Sequence, residues 1–262
     1  MITLKKPEDF AKMATAGVCV AAVHAAVREA ARPGVSMRQL DETAASVTEA
    51  HGCHPSFLNY HGFPAHICAS PNSVIVHGIP DDYRLRDGDI LSIDSGAIFE
   101  GYHADAAFTM GIGDIDDEAQ RLIDTTEKAM WAGIAAVADG GRVGDVGAAV
   151  FEVGDGAGFG VVREYVGHGI GRNMHEKPEV PNHGKPGTGM RLRTGMAICI
   201  EPMFNAGTHE SYVEDDGWTV VTADGALSAH FEHTVALPPD GVEVLTDPER
   251  RTSDLWPFAR SG

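Results

Sequence analysis

Residues 88–109 read Gly88-Asp-Ile-Leu-Ser-Ile-Asp94-Ser-Gly96-Ala-Ile-Phe-Glu100-Gly101-Tyr-His-Ala-Asp105-Ala-Ala-Phe-Thr109. Two short apolar runs meet at a bend that Phe99-Glu100, flanked by Gly101, can make, and this reads as a β-hairpin. With that bend, facing residues carry numbers that sum to 199. Asp94 and Asp105 then stand directly opposite on one face, their Cβ atoms about 5 Å apart. Two bare carboxylates there repel, and burial sharpens the repulsion. A cation between them removes the difficulty. A one-residue slip would send the acids to opposite faces, and the plainer reading makes Asp105 a turn residue and Asp94 a solvated strand end.

Helical patterns precede the hairpin. Residues 7–31 place Phe10, Met13, Val20, Val23 and Val27 on one side, and Pro33-Gly34 ends the run. Ser36 starts a second helix with Leu40, Ala44 and Val47 as its stripe, ending at Gly52. After the strand-and-loop stretch 56–110, Asp114 to Ala138 returns to helix, with acids in its first turn, and 144–154 follows. Strands are expected again at 161–166, 196–201, 218–223 and 227–236. A shift of 106 residues lays Gly34 on Gly140, Leu40 on Val146, Ala44 on Val150 and Val47 on Val153. The chain therefore reads as an ancient duplication. An α+β body with one curved central sheet, helices outside and a site between the halves is expected.

The 262 residues suit a single catalytic domain, halved at about 1–112 and 113–247, with 248–262 as a loose tail. Lys and Arg number 20 against 38 Asp and Glu, a net charge of −18, which repels phosphate backbones and acidic membranes. Neither stable nucleic-acid binding nor a membrane partner is expected. Cys19, Cys53, Cys68 and Cys199 form no CxxC pair and read as reduced thiols of a cytoplasmic protein. The amino terminus reads as neither signal peptide nor membrane span, and a monomer is expected.

Several chemistries lack their motifs. Gly154-Asp-Gly156-Ala-Gly158 is not the dinucleotide fingerprint, no P-loop lysine follows a glycine cluster, and there is no G-x-S-x-G elbow. His175-Glu176 has no second His four residues on, and Pro178 would break a zincin helix.

What remains is a scattered set of acids and imidazoles. Gly167-His168-Gly169 places a histidine between glycines that admit close approach, and His175 follows in a loop. Glu201 ends the apolar run Met196-Ala-Ile-Cys-Ile, and Glu232 lies inside the β-type run Phe231-Glu-His-Thr-Val235. Taken singly, each His reads as a satisfied core or surface residue, and each Glu as half of a buried ion pair. Taken together, four carboxylates carry −4, which two divalent cations neutralise. Oxygen-rich ligation with one nitrogen suits Mn(II), Fe(II) or Co(II), and Zn(II) or Mg(II) less well.

His77-Gly-Ile-Pro80, Gly88-Asp-Ile-Leu-Ser-Ile-Asp94, His103-Ala-Asp105, Gly167-His168-Gly-Ile-Gly171, Glu201-Pro-Met203 and Phe231-Glu232-His-Thr234 together resemble type I methionine aminopeptidase, in its short bacterial form. The resemblance implies the pita-bread fold with a pseudo-twofold repeat. It implies removal of the initiator methionine from nascent polypeptides with a small second residue, with the ribosome as a possible partner. Asp94 would chelate one ion, Asp105 and Glu232 bridge both, and His168 and Glu201 complete the second ion's shell. A hydroxide bridging the two metals would attack, Glu201 would pass on its proton, His175 would stabilise the oxyanion, and His77 would contact the scissile nitrogen or assist its departure. Tyr60, His61, Phe63, Cys68 and Trp218 would form the methionine pocket. Met174 and Phe57 depart from the family's Phe and Cys there, which bears on the pocket's shape.

Two rivals share the fold: an X-Pro aminopeptidase or dipeptidase, which usually carries a further amino-terminal domain, and a binding protein that has lost catalysis. The five intact ligand positions speak against the second. Under the small-residue rule, Ile2 is too large for this chain's own initiator methionine to be removed. Mass spectrometry of cell-made protein is expected to find Met1, and an Ile2 amino terminus would contradict it.

Overall fold

The computed structural model describes residues 2–249. Beyond Glu249 the expected tail lies outside the described residues. Four α-helices form where the patterns place them: α1 (Pro7–Ala30), α2 (Met37–Ala50), α3 (Asp117–Ala135) and α4 (Val143–Gly156). Pro7 opens α1, and Asp9 accepts from the Lys6 backbone at 2.9 Å. Ser36 and Gln39 cap α2 reciprocally, and Asp116 caps α3 by accepting from Ala119 N at 2.7 Å. All five residues of the α1 stripe are buried. By length and composition α1 could cross a bilayer, with a mean hydropathy of 1.6 over its most apolar 18 residues, but half of that window is buried within the fold.

The helices cover a nine-stranded antiparallel sheet. Its order is His54–Pro55, Ile90–Phe99, Tyr102–Gly111, Glu232–Ala236, Ala197–Ile200, Gly167–Gly169 and Glu176–Val180. Ile67–Pro71 also pairs with Ile90–Phe99, and Glu243–Val244 with Glu232–Ala236. The observed α+β architecture agrees with the sequence expectation.

The hairpin register differs from the expected one. Phe99 pairs with Tyr102, so the bend is Glu100-Gly101, one residue later than expected. Both bend residues have positive φ, 46° and 78°, as the mirror-image turns that match strand twist require. Facing numbers therefore sum to 201: Asp94 faces Ala107, and Asp105 faces Gly96. Moving the bend by one residue shifts each partner by two, so both acids keep the same face as diagonal neighbours.

The 106-residue repeat reappears in the backbone. α2 and α4 are each 14 residues long, and their first residues are 106 apart. Gly34 N donates to Leu85 O, and Gly140 N to Leu192 O; Leu85 N donates to Val35 O, and Leu192 N to Gly141 O. The two sets of strands join where Tyr102–Gly111 meets Glu232–Ala236.

Helix α1 closes against the segment after the last long strand. A Cβ built on Gly17 would lie 2.0 Å from Leu245 O. Alanine there gains about 1 kcal/mol of helix propensity, whereas the clash with a fixed backbone costs about 1–3 kcal/mol. Gly17→Ala is expected to lower the thermal unfolding midpoint, and a raised midpoint would contradict this close docking.

A candidate metal centre in the sheet

The sheet register writes one row of side chains across four strands. Cys68 faces Asp94, Asp94 faces Ala107, and Ala107 faces Glu232. Asp105 projects from the same face two residues from Ala107. Small residues make room beside the acids: Ala107 stands between Asp94 and Glu232, and Gly96 opposite Asp105 could not carry a Cβ without meeting Ser56 at 2.7 Å. His168 comes from Gly167–Gly169, and Glu201 follows directly on Ala197–Ile200. Asp94, Asp105, His168, Glu201 and Glu232 all line one cavity of about 140 Å³.

These acids are buried without compensation. Asp94 Oδ1, Asp105 Oδ1, Glu201 Oε1 and Glu232 Oε1 are inaccessible and have no hydrogen-bond partner among the described residues. Burial first, and the neighbouring acids second, push the Asp94, Glu201 and Glu232 carboxyls well above the usual carboxylate range. Burial raises Asp105 to about 7. An unpaired buried charge costs several kcal/mol, so four of them would rival the ~5–15 kcal/mol that holds a typical domain folded. The donor set fits divalent cations, which turn the same oxygens into ligands. Asp105, His168, Cys199 and Glu232 each offer an atom within 4.8 Å of the others, as do Glu201, His230 and Glu232.

The imidazoles are prepared as neutral donors of electron pairs or protons. His168 Nδ1 lies 2.9 Å from Gly169 O, so it carries the proton and turns the Nε2 lone pair toward Glu201 Oε1, 3.5 Å away. Burial, and then His175, hold its pKa down to about 3. His175 packs on His168 with ring centroids 4.2 Å apart. The Tyr60 hydroxyl sits 2.7 Å from His175 Nδ1; when the phenol donates, Nε2 is left as an N–H donor. A buried Lys5–Glu176 ion pair, 2.8 Å long, fixes the loop beside His175, with Glu176 also accepting from Asn173 N. His77 has a left-handed backbone, φ 60°, and stands edge-on to Tyr165 and Trp218; burial lowers its pKa to about 4. Strain of this kind is stored where position matters.

The apolar side of the cavity is formed by Phe57, Tyr60, Phe63, Cys68, Met174 and Trp218. His61 does not line this cavity; it is exposed in the adjoining groove, which it shares with Tyr60, His103, Arg172 and His175. Its own φ of 49° turns the chain at that point and directs the ring outward against Tyr60. Phe57 and Met174, noted in the sequence only as departures, are lining residues. Sequence reasoning also passed over His230. Period-two alternation back from Glu232 is the signal that could have found it.

The description "Metallopeptidase family M24" fits residues 11–238 of the chain. A methionine aminopeptidase of Clostridium perfringens is 46% identical over 246 residues, 94% of this chain and 99% of that one. Methionine aminopeptidase 1 of Mycobacterium tuberculosis is 49% identical over 241 residues, 89% of this chain and 91% of that one. The crystal structure of a methionine aminopeptidase from Thermotoga maritima superposes with a TM-score of 0.93 at 39% identity, covering 94% of this chain and all of that one. A prolidase from Pyrococcus furiosus shares the fold, with a TM-score of 0.76 at 21% identity over 95% of this chain and 66% of its own.

Metal binding must displace protons from these acids. Without metal, folded Asp105 holds a proton between pH ~4 and about 7 that the unfolded chain has lost. That contribution to metal-free stability is lost as pH rises through about 7. The thermal shift produced by adding Mn(II) to chelator-stripped protein is therefore expected to be larger at pH 7.5 than at pH 5.5. An equal or smaller shift at pH 7.5 would contradict the ligand set.

Proposed function

The chain belongs to metallopeptidase family M24, and we propose that it is a type I methionine aminopeptidase whose Asp94, Asp105, His168, Glu201 and Glu232 hold two divalent cations. The single observation that carries this reading is the convergence of four carboxylates, each with a buried oxygen that has no hydrogen-bond partner among the described residues, and one oriented imidazole beside a largely apolar pocket. Mn(II), Fe(II) and Co(II) suit these donors, and Zn(II) and Mg(II) suit them less well. When bound, the cations neutralise the cluster, acidify a water and polarise the substrate carbonyl.

The chain's own groups do the rest. The methionine side chain enters between Phe63, Cys68, Met174 and Trp218, where aromatic and sulfur surfaces suit a polarisable thioether. The narrow apolar cavity suits one terminal side chain, and a small second residue fits beside the crowded acids. Glu201, at the cavity wall between His168 and His230, takes a proton from the attacking water and hands it to the departing amine. His175, held by Tyr60, donates from Nε2 to the oxygen that gains charge. His77, held neutral by burial, meets the scissile nitrogen. Nascent chains in the cytoplasm are the substrates, met by a monomer. Any contact with the ribosome needs a local basic patch on a surface of net charge −18.

Met-Ala-Ser is expected to release methionine with added Mn(II) or Co(II), and an X-Pro peptide to remain intact. Glu201→Gln is expected to lower kcat by about 10²–10⁴-fold, and His175→Ala by about 10²–10³-fold. Cleavage of X-Pro but not Met-Ala-Ser would move the protein to the prolidase branch. No turnover of either peptide by metal-loaded protein would favour the non-catalytic rival.

A further inference from the structure

His230 is buried, with 2% of its surface exposed, and its Nε2 has no hydrogen-bond partner among the described residues. The ring lines the same cleft as His77, Asp94, His168 and Glu201. Its backbone is locked on both sides. His230 N donates to Thr109 Oγ1 at 2.8 Å, Thr109 Oγ1 lies 2.9 Å from His230 O, and Met203 pairs with it across the strand. Nε2 stands 3.9 Å from Glu201 Oε2, too far for a hydrogen bond. Yet nitrogen, Glu201 oxygen and Glu232 oxygen lie within 4.8 Å of one another. Glu201 is thus flanked by two imidazoles, His168 on Oε1 and His230 on Oε2.

We propose that His230 is a sixth protein ligand of the metal centre, binding through Nε2 the cation that Glu201 and Glu232 hold. A buried imidazole nitrogen aimed between two carboxylates, with no other partner, is placed as a ligand. A second nitrogen donor moves the preference of an oxygen-rich site away from Mn(II) and toward Co(II). This ligand presupposes the metal centre proposed above, but it can fail independently of it.

Chelator-stripped protein titrated with Co(II) and Mn(II) tests it by calorimetry and by the visible absorption of bound Co(II). His230→Gln and His230→Asn are expected to change the Co(II) spectrum and to lose about tenfold or more in Co(II) affinity relative to Mn(II). A spectrum and an affinity ratio equal to those of the wild type, with Co(II) still bound, would overturn the proposal. Asp105→Ala reports on the centre itself: Co(II) binding unchanged in that variant would defeat the metal-centre reading. Should neither His230 variant fold, wild-type protein carrying ¹⁵N-labelled histidine decides the matter. On adding Zn(II), the assigned His230 Nε2 resonance moves to the metal-bound range if His230 is a ligand, and stays in place if it is not.

Discussion

Four carboxylates that cannot all be charged in the dry interior are the constraint around which this protein is built. Asp94, Asp105, Glu201 and Glu232 are buried, mutually repelling and short of hydrogen-bond partners. A structural acid in such a place would be paired with Lys or Arg, yet among the described residues neither lines the cavity that these acids share. Protons or metal ions must supply the missing positive charge. The raised carboxyl pKa values and the lowered imidazole pKa values of His77, His168 and His230 express the same shortage from two sides.

The repeat explains how one chain brings such a cluster together. Asp94 and Glu201 are 107 residues apart, Asp94 within a strand and Glu201 directly after one, each strand preceded by a positive-φ glycine, Gly88 at 89° and Gly195 at 94°. The half-sites meet because Tyr102–Gly111 pairs with Glu232–Ala236, which sets Ala107 against Glu232. The acids therefore stand on rigid sheet. His77, Tyr60 and His175, the groups proposed to handle substrate, come from loops braced by Gly78, by the Tyr60–His175 hydrogen bond and by the Lys5–Glu176 pair. A Cβ on Gly78 would lie 2.3 Å from Ala69 O, so this backbone approach is what holds the His77 turn in place.

Much of this was legible in the sequence because the chemistry is carried by strand residues, and strands obey a period of two. Asp94 and Asp105 were assigned to one face correctly even though the bend was misplaced, since a shift of two residues preserves the face. The α2 and α4 helices could be matched because caps and stripes are local signals. The outward direction of His61 was not legible, because the direction of a loop side chain depends on φ, here 49°, and neighbouring residues do not reveal it. His230 was passed over although alternation back from Glu232 points to it, because Phe231 interrupts the strand and the nearness to Glu201 is set by the fold.

The central claim is that five side chains, spread from Asp94 to Glu232, clasp two cations. Crystals grown with excess Mn(II) and measured on both sides of the manganese absorption edge test it most directly. Two anomalous peaks bounded by Asp94, Asp105, His168, Glu201 and Glu232 are the expected result. Peaks confined to the protein surface, with these five side chains turned apart, would contradict the account.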